Sequence, residues 1–252
     1  IIFFDIDGTL LDFGKKDLSP KTREALLKLR ANGIRICIAT GRSPLAVPKF
    51  EGVEFDAYLT YNGCYCYEGS KTIYSNPMPS ADVQTIIQNA DSMERALSVA
   101  TKDRLISNGT DPDQEYYAFG NQKVTISDEF DEVSRGEVYQ LLMACRKEEY
   151  AQVLQNTHGA KITSWWDRAV DIIPASGGKG TGIAKMLEYY GIDRSQAMAF
   201  GDGNNDIEMF QAVDMGVAME NASDDLKAVA ADTCDHVAED GVYRYCVKHS
   251  LI

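Results

Sequence analysis

The chain has 252 residues, 44% of them apolar, enough to bury the core of one large domain or two modest ones. Its formal net charge of −13 repels phosphate backbones and anionic headgroups, so neither nucleic acid nor a membrane surface is an expected partner. No apolar stretch approaches the ~20 residues that span a bilayer, and no signal peptide is visible.

In chain order, Ile1–Phe4 is a continuous apolar run that reads as a strand buried on both faces. It starts on Ile1 and not on methionine, which leaves the true N-terminus open. Asp5-Ile6-Asp7-Gly8-Thr9 follows at the strand's C-terminal end. Ser19-Pro20 predicts a helix start, with a serine N-cap and proline at the first helical position. Ala25, Leu26 and Leu29 share a face of that helix, and Gly33 ends it. Ile34–Ala39 predicts a second strand, running into Thr40-Gly41-Arg42, and Ala57–Thr60 a third, running into Asn62-Gly63. This strand–helix rhythm argues for a parallel sheet.

From about Ser80 to Ile173 the elements become longer, more polar and more aromatic. Val83, Ile86 and Ile87 predict a helix, Val138, Leu141 and Leu142 a second, and Tyr150, Val153 and Leu154 a third. Leu97–Thr101, Lys123–Ile126, Lys161–Trp165 and Val170–Ile173 read as strands. Trp165, Trp166 and Tyr116-Tyr117 are candidates for lining a pocket or for core packing. The first rhythm then resumes. Ile183, Ala184, Met186, Leu187 and Tyr190 mark an amphipathic helix closed by Gly191. Ala197–Phe200 predicts a strand leading into Gly201-Asp202-Gly203-Asn204-Asn205-Asp206, Ile207 and Phe210 open another helix, and Met215–Met219 predicts a strand. The expected architecture is α/β: a discontinuous Rossmann-like parallel-sheet core over 1–79 and 174–252, with an α+β cap inserted at 80–173.

Ligands bind at the C-terminal edge of such a sheet. Asp5-x-Asp7, Thr40-Gly41 and Gly201-Asp202 all arrive there. Paired carboxylates repel unless a cation compensates, and magnesium takes oxygen ligands of this kind. One carboxylate could attack phosphorus and the other move a proton; alternatively, Asp7-Gly8 is simply a turn. Asp202 and Asp206 form a second acidic cluster, or a capped turn. Lys179, in Gly177-Gly178-Lys179-Gly180, could offset phosphoryl charge or be an exposed loop cation; the spacing is not that of a P-loop. Thr40 supplies a hydroxyl and the Gly41 region backbone N–H donors for phosphoryl oxygens, with Arg42 as helper or as a solvated side chain. His158, His236 and His249 are scattered, and no catalytic or metal role is expected of them. The six cysteines form no C-x-x-C pair and read as reduced thiols of a cytoplasmic protein, with Cys37 buried.

Taken together, Asp5-Ile6-Asp7-Gly8-Thr9-Leu10-Leu11, Thr40-Gly41-Arg42, Lys179-Gly180 and Gly201-Asp202-x-x-Asn205-Asp206 resemble the four motifs of the haloacid dehalogenase superfamily, in order and spacing. The long insert resembles the type IIB cap of the Cof-like phosphatases, as does Asn62-Gly63. The resemblance implies a Mg2+-dependent phosphoric monoester hydrolase. In it Asp5 would be nucleophile and metal ligand, and Asp7 general acid/base with its backbone carbonyl on the metal. Thr40 would bind the phosphoryl group and Lys179 steady it; Asp202 would be a further ligand. Asn205 would contact the phosphoryl group or order the loop, and Asp206 would support the metal or Lys179. Expected partners are small phosphorylated metabolites, sugar phosphates above all, with the protein a monomer or weak dimer. A phosphomutase, or a non-catalytic sugar-phosphate sensor, is the alternative; an intact Asp5, Asp7, Lys179 and Asp202 set argues against the sensor.

Overall fold

The computed structural model describes residues 1–110, 125–164 and 168–252, which form two compact units. The first comprises Ile1–Thr40, Pro48–Tyr74 and Lys179–Ile252; the second comprises Gly41–Val47 and Ser75–Gly178.

The first unit is built on an eight-stranded sheet of order β14-β13-β12-β1-β2-β3-β4-β5. The strands are β1 (Ile2–Phe4), β2 (Ile36–Ala39), β3 (Ala57–Thr60), β4 (Tyr65–Glu68), β5 (Lys71–Ser75), β12 (Met198–Gly201), β13 (Met215–Met219) and β14 (Asp232–Cys234). Pairing from β14 through to β3 is parallel, with Ile2 opposite Met198 on one side and Ile36 on the other. β4 runs antiparallel to β3, a departure from the parallel order that no predicted element anticipated.

Alternation along these strands divides the core. Phe3, Cys37, Ala39 and Ala199 face helices α5 (Lys179–Tyr190), α6 (Ile207–Ala212) and α7 (Asp224–Val229), meeting Ile183, Met186, Met209, Phe210 and Leu226. On the other face Phe4 stacks on Phe200 with ring centroids 5.3 Å apart, and Phe200 meets the edge of Tyr245 at 5.4 Å. Tyr245 lies on α8 (Gly241–Lys248), which packs beside α1 (Pro20–Ala31). Helix α1 starts as the sequence indicates. Ser19 Oγ accepts from Thr22 N at 3.0 Å, Pro20 sits in the first turn, and Gly33 adopts φ +79° just beyond the end.

The second unit has a six-stranded sheet of order β10-β11-β9-β6-β7-β8. Its strands are β6 (Leu97–Ala100), β7 (Leu105–Ser107), β8 (Thr125–Ile126), β9 (Gln140–Ala144), β10 (Ala160–Ser164) and β11 (Ala169–Pro174), antiparallel except between β7 and β8. One face packs Leu97, Val99, Leu141, Met143, Val170 and Ile172 against α2 (Ser80–Ser92), α3 (Phe130–Val133) and α4 (Tyr150–Val153). The helix expected around Val138, Leu141 and Leu142 is instead β9. Adjacent Leu141 and Leu142 point to opposite faces of a strand whose five residues are all buried, so burial runs along both faces. Tyr116-Tyr117, Trp165 and Trp166 lie outside the described residues, as does the start of the expected 123–126 strand. Among the described residues no helix is long and apolar enough to cross a membrane.

Candidate active site

The C-terminal ends of β1, β2, β3 and β12 bring their motifs to one edge of the first sheet. Asp5 continues β1 by one bond, its N–H donating to Phe200 O at 3.0 Å. The chain then coils tightly: the N–H groups of Thr9, Leu10 and Leu11 all reach Ile6 O, at 3.3, 3.0 and 2.8 Å. Gly8 permits this coil with φ +84°, and its missing side chain has a second use. A Cβ there would collide with the Asp202 carboxylate. Asp7, half-exposed, bridges through its backbone to Leu11.

Lys179 is the first residue of α5 and is 1% exposed. The reading of it as an exposed loop cation is thereby set aside. Gly182 lets α5 approach this closely, since a Cβ there would lie 2.7 Å from Leu59 Cδ1 and 2.8 Å from Gly63 Cα. Lys179 Nζ donates to Asp5 Oδ1 at 2.6 Å and to Asp206 Oδ1 at 2.5 Å. The other oxygen of Asp206, Oδ2, accepts the backbone N–H groups of Asp202 and Gly203, both at 3.0 Å. Asp206 therefore braces the loop as well as the lysine. Thr9 Oγ1 donates to Asp202 Oδ1 at 3.3 Å, and Asn221 Nδ2 donates to Gly8 O at 2.7 Å. Thr40 N donates to Leu59 O at 2.8 Å, and Thr40 O accepts from Asn62 N at 3.0 Å. Asn205 Nδ2 donates in turn to Asn62 Oδ1 at 3.3 Å. Asn62 holds this position in a left-handed conformation, φ +50°, which asparagine tolerates better than most residues.

Of the residues singled out in the sequence, Asp5, Lys179, Asp202 and Asp206 thus meet in one cluster, and Thr40, Asn62 and Asn205 form one bonded chain. Gly41 and Arg42 fall in the second unit, where Arg42 Nη1 donates to Ala46 O at 3.0 Å. Thr9 and Asn221 were missed. Thr9 stood in the quoted motif without an assigned task. Asn221 sits in Asn-Ala-Ser ahead of α7, a pattern that signals a helix cap and nothing more.

The charge balance identifies what the cluster can hold. Asp5, Asp202 and Asp206 each offer an oxygen within 4.8 Å of the others. Burial pushes the Asp5 carboxyl up to about 7, Lys179 opposing and Asp206 and Asp7 adding to the rise. Burial pushes Asp202 up to about 9, reinforced by Asp5 and Asp206. For Lys179 burial acts downward, but the carboxylates of Asp206 and Asp5 outweigh it and keep the ammonium protonated. Carboxylates this crowded resist ionising together, and one lysine supplies too little positive charge for all of them, so an added cation would stabilise the cluster. An all-oxygen donor set suits magnesium.

Comparison with known proteins gives the family. The family model described as haloacid dehalogenase-like hydrolase matches residues 2–245. YkrA of Bacillus subtilis (strain 168) is 32% identical over 98% of this chain and 96% of its own. The pyridoxal phosphate phosphatase YbhA of Escherichia coli (strain K12) is 28% identical over 100% of this chain and 98% of its own. Among solved structures, the HAD subclass IIB sugar phosphatase BT4131 superposes with a TM-score of 0.92 at 30% identity, covering 100% of this chain and 99% of that one. The chain belongs to the haloacid dehalogenase-like hydrolase family, on its phosphatase branch.

Proposed function

We propose that this hydrolase is a Mg2+-dependent phosphatase of small phosphorylated metabolites, sugar phosphates foremost, working through a phosphoryl group carried on Asp5. The observation that carries the reading is the buried Lys179 ammonium shared between Asp5 and Asp206, with Asp202 alongside. A lysine so placed holds one Asp5 oxygen still and counters the charge of an incoming phosphoryl group.

In the first step an Asp5 oxygen attacks phosphorus in line. The bond from phosphorus to the ester oxygen breaks, and Asp7 gives that oxygen a proton. In the second step Asp7, now a carboxylate, takes a proton from water as the water oxygen attacks the same phosphorus. The bond to Asp5 breaks, inorganic phosphate leaves, and both carboxyl groups return to their starting states. Thr40, Asn205 and Lys179 hold the phosphoryl oxygens; most of the acceleration comes from such positioning and charge compensation. Magnesium, held by Asp5, Asp202 and the Asp7 carbonyl with Asp206 behind them, would supply Lewis-acid neutralisation of the phosphoryl charge. Asp7 as a proton donor and acceptor suits phosphoryl transfer from an alcohol. Residues 80–173 would choose among leaving groups. The sugar-phosphate preference draws on the subclass IIB sugar phosphatase to which the chain is similar.

The test is phosphate release across a panel of sugar phosphates, nucleotides, phosphopeptides and short nucleic acids, with Asp5→Asn as control. Several sugar phosphates should be hydrolysed within about a hundredfold of one another in kcat/KM, the spread that a few modest contacts produce. Asp5→Asn should release none, because an amide is no nucleophile toward phosphorus. A tenth of wild-type turnover in that variant would sink the nucleophile assignment, and a preference for phosphopeptides would sink the substrate class.

A further inference from the structure

Strand β13 pairs in parallel with β12, Ala218 opposite Gly201, so the chain that leaves it at Met219 runs beside the loop that carries Asp202. Ser223 N donates to Asp202 O at 2.9 Å, and Ser223 Oγ donates to Asn204 Oδ1 at 2.5 Å. Two residues earlier stands Asn221, half-buried, with both ends of its amide bonded. Its Nδ2 donates to Gly8 O at 2.7 Å, and its Oδ1 accepts from Val237 N at 3.1 Å, in the Val237–Glu239 turn ahead of α8. The 220–223 segment therefore grips two others: the coil after β1 through a side chain, and the loop after β12 through a backbone N–H. All of these residues belong to the first unit.

The grip on Gly8 reaches Asp202 by a short route. Gly8 O and Thr9 N–H belong to one planar peptide. Thr9 N donates to Ile6 O at 3.3 Å, so Asn221 and Ile6 hold that plane from its two sides. With the plane fixed, the Thr9 Cα is placed, and its Oγ1 meets Asp202 Oδ1 at 3.3 Å. The chemistry of position 221 is demanding, because one short side chain must donate at one end and accept at the other. Aspartate has the same shape but no donor, and would set a carboxylate oxygen against the Gly8 carbonyl. We propose that Asn221 is a positioning residue: through Gly8 it fixes the coil that carries Asp5 and Asp7 relative to Asp202, and so the spacing of the proposed magnesium ligands. The inference rests on the phosphatase reading above and adds to it a residue that acts through the backbone of another.

The experiment compares Asn221→Leu, similar in size with neither donor nor acceptor, and Asn221→Asp, which keeps the acceptor for Val237 N and loses the donor to Gly8 O. Binding of magnesium alone to the substrate-free protein is measured by calorimetry, beside phosphate release at graded magnesium. Both variants should weaken magnesium binding about 10- to 100-fold, the usual loss when an outer partner of a metal ligand is removed. Half-maximal phosphate release should need correspondingly more magnesium. In a Thr9→Val background, Asn221→Leu should cost less than it does in the wild type, since both changes reach Asp202 along one route. Ser19→Ala, which loosens α1 in the same unit, should leave the magnesium dissociation constant unchanged. Wild-type binding in either folded variant would overturn the proposal: if only Asn221→Leu weakens it, the Val237 bond is responsible, and if only Asn221→Asp does, the added charge is. Full additivity with Thr9→Val would overturn it too, as would an equal weakening in Ser19→Ala, the mark of general loosening. Where only one of the two Asn221 variants folds, its dissociation constant decides. A wild-type protein that binds no magnesium and releases no phosphate removes the phosphatase reading and this inference with it; one that does both while Asn221→Asp matches it removes this inference alone.

Discussion

Gly8 and Gly14 share a backbone conformation, φ +84° and +81°, and differ in what surrounds them. A Cβ on Gly14 meets nothing within 4 Å, whereas one on Gly8 meets the Asp202 carboxylate. Gly14→Ala should therefore cost about 1 kcal/mol of backbone strain and leave kinetics unchanged. Gly8→Ala adds a displaced Asp202 to that strain and should raise the magnesium concentration needed for half-maximal activity at least about tenfold, the effect of losing one ordered ligand. A Gly8→Ala enzyme with a wild-type magnesium titration would remove Asp202 from the metal site. Residue identity left Asp5, Asp7 and Asp202 open to metal and proton chemistry or to a plain turn, and their proposed roles come from the resemblance of the four motifs taken together. It did not decide Lys179. Whether a lysine in a glycine-rich stretch is solvated or buried depends on Asp5 and Asp206, 174 and 27 residues away in the chain.

Among the elements, α1 carries the most readable signal and supports a direct test. Ser19 Oγ accepts from Thr22 N and donates to Asp240 Oδ1 at 2.5 Å, tying the start of α1 to the turn ahead of α8. Ser19→Ala removes both bonds and should lower the unfolding free energy by about 1–3 kcal/mol in urea titrations, with kcat unaltered. A change below the error of the titration would mean that water replaces the cap. Buried parallel strands were equally legible: Ala57–Thr60 and Met215–Met219 fall where their apolar runs stand. The hairpin of β4 and β5 was not, since Tyr65–Glu68 and Lys71–Ser75 mix aromatic and charged residues without clean alternation. β9 was misread because Val138, Leu141 and Leu142 match helical and doubly buried strand patterns alike, and only the neighbouring strands β6 and β11 decide between them.

For the whole molecule, the acidic cluster ties proton binding to stability, and on the proposed function to magnesium as well. Burial raises the Asp5 carboxyl to about 7 and the Asp202 carboxyl to about 9, from 3.8 for an ordinary aspartate. The folded state thus binds more protons than the unfolded one between those values, so the chelated protein should lose stability as pH rises from 5 to 9. The proposed magnesium would take the carboxylates in their ionised form, so its affinity should increase over the same range and its binding should release protons. At a hundred times its dissociation constant it should add about 2.7 kcal/mol to stability. Thermal melts with chelator and with magnesium, at pH 5.5 and 8.5, measure both slopes; a melting temperature of the chelated protein that climbs with pH would contradict this account. The six free thiols add a simpler check on integrity. Burial pushes Cys145, Cys234 and Cys246 up to about 12 and Cys37 and Cys66 higher still. At pH 8 a disulfide reagent should therefore label these five thiols slowly until denaturant is added.

The central place of β1 carries a cost during synthesis. Its partner on one side, β2, emerges within some forty residues, but β12, on the other side, begins at Met198. At ribosomal rates of about 5–20 residues per second, β1 waits roughly 10–40 s with one row of backbone donors and acceptors unmatched. The second unit, contiguous from Ser75 to Gly178 apart from its 41–47 segment, is completed within that interval. The nascent chain therefore holds an unfinished, apolar sheet edge while the second unit is already complete. That edge is where a chaperone would bind, and where two incomplete chains would pair with each other in its absence.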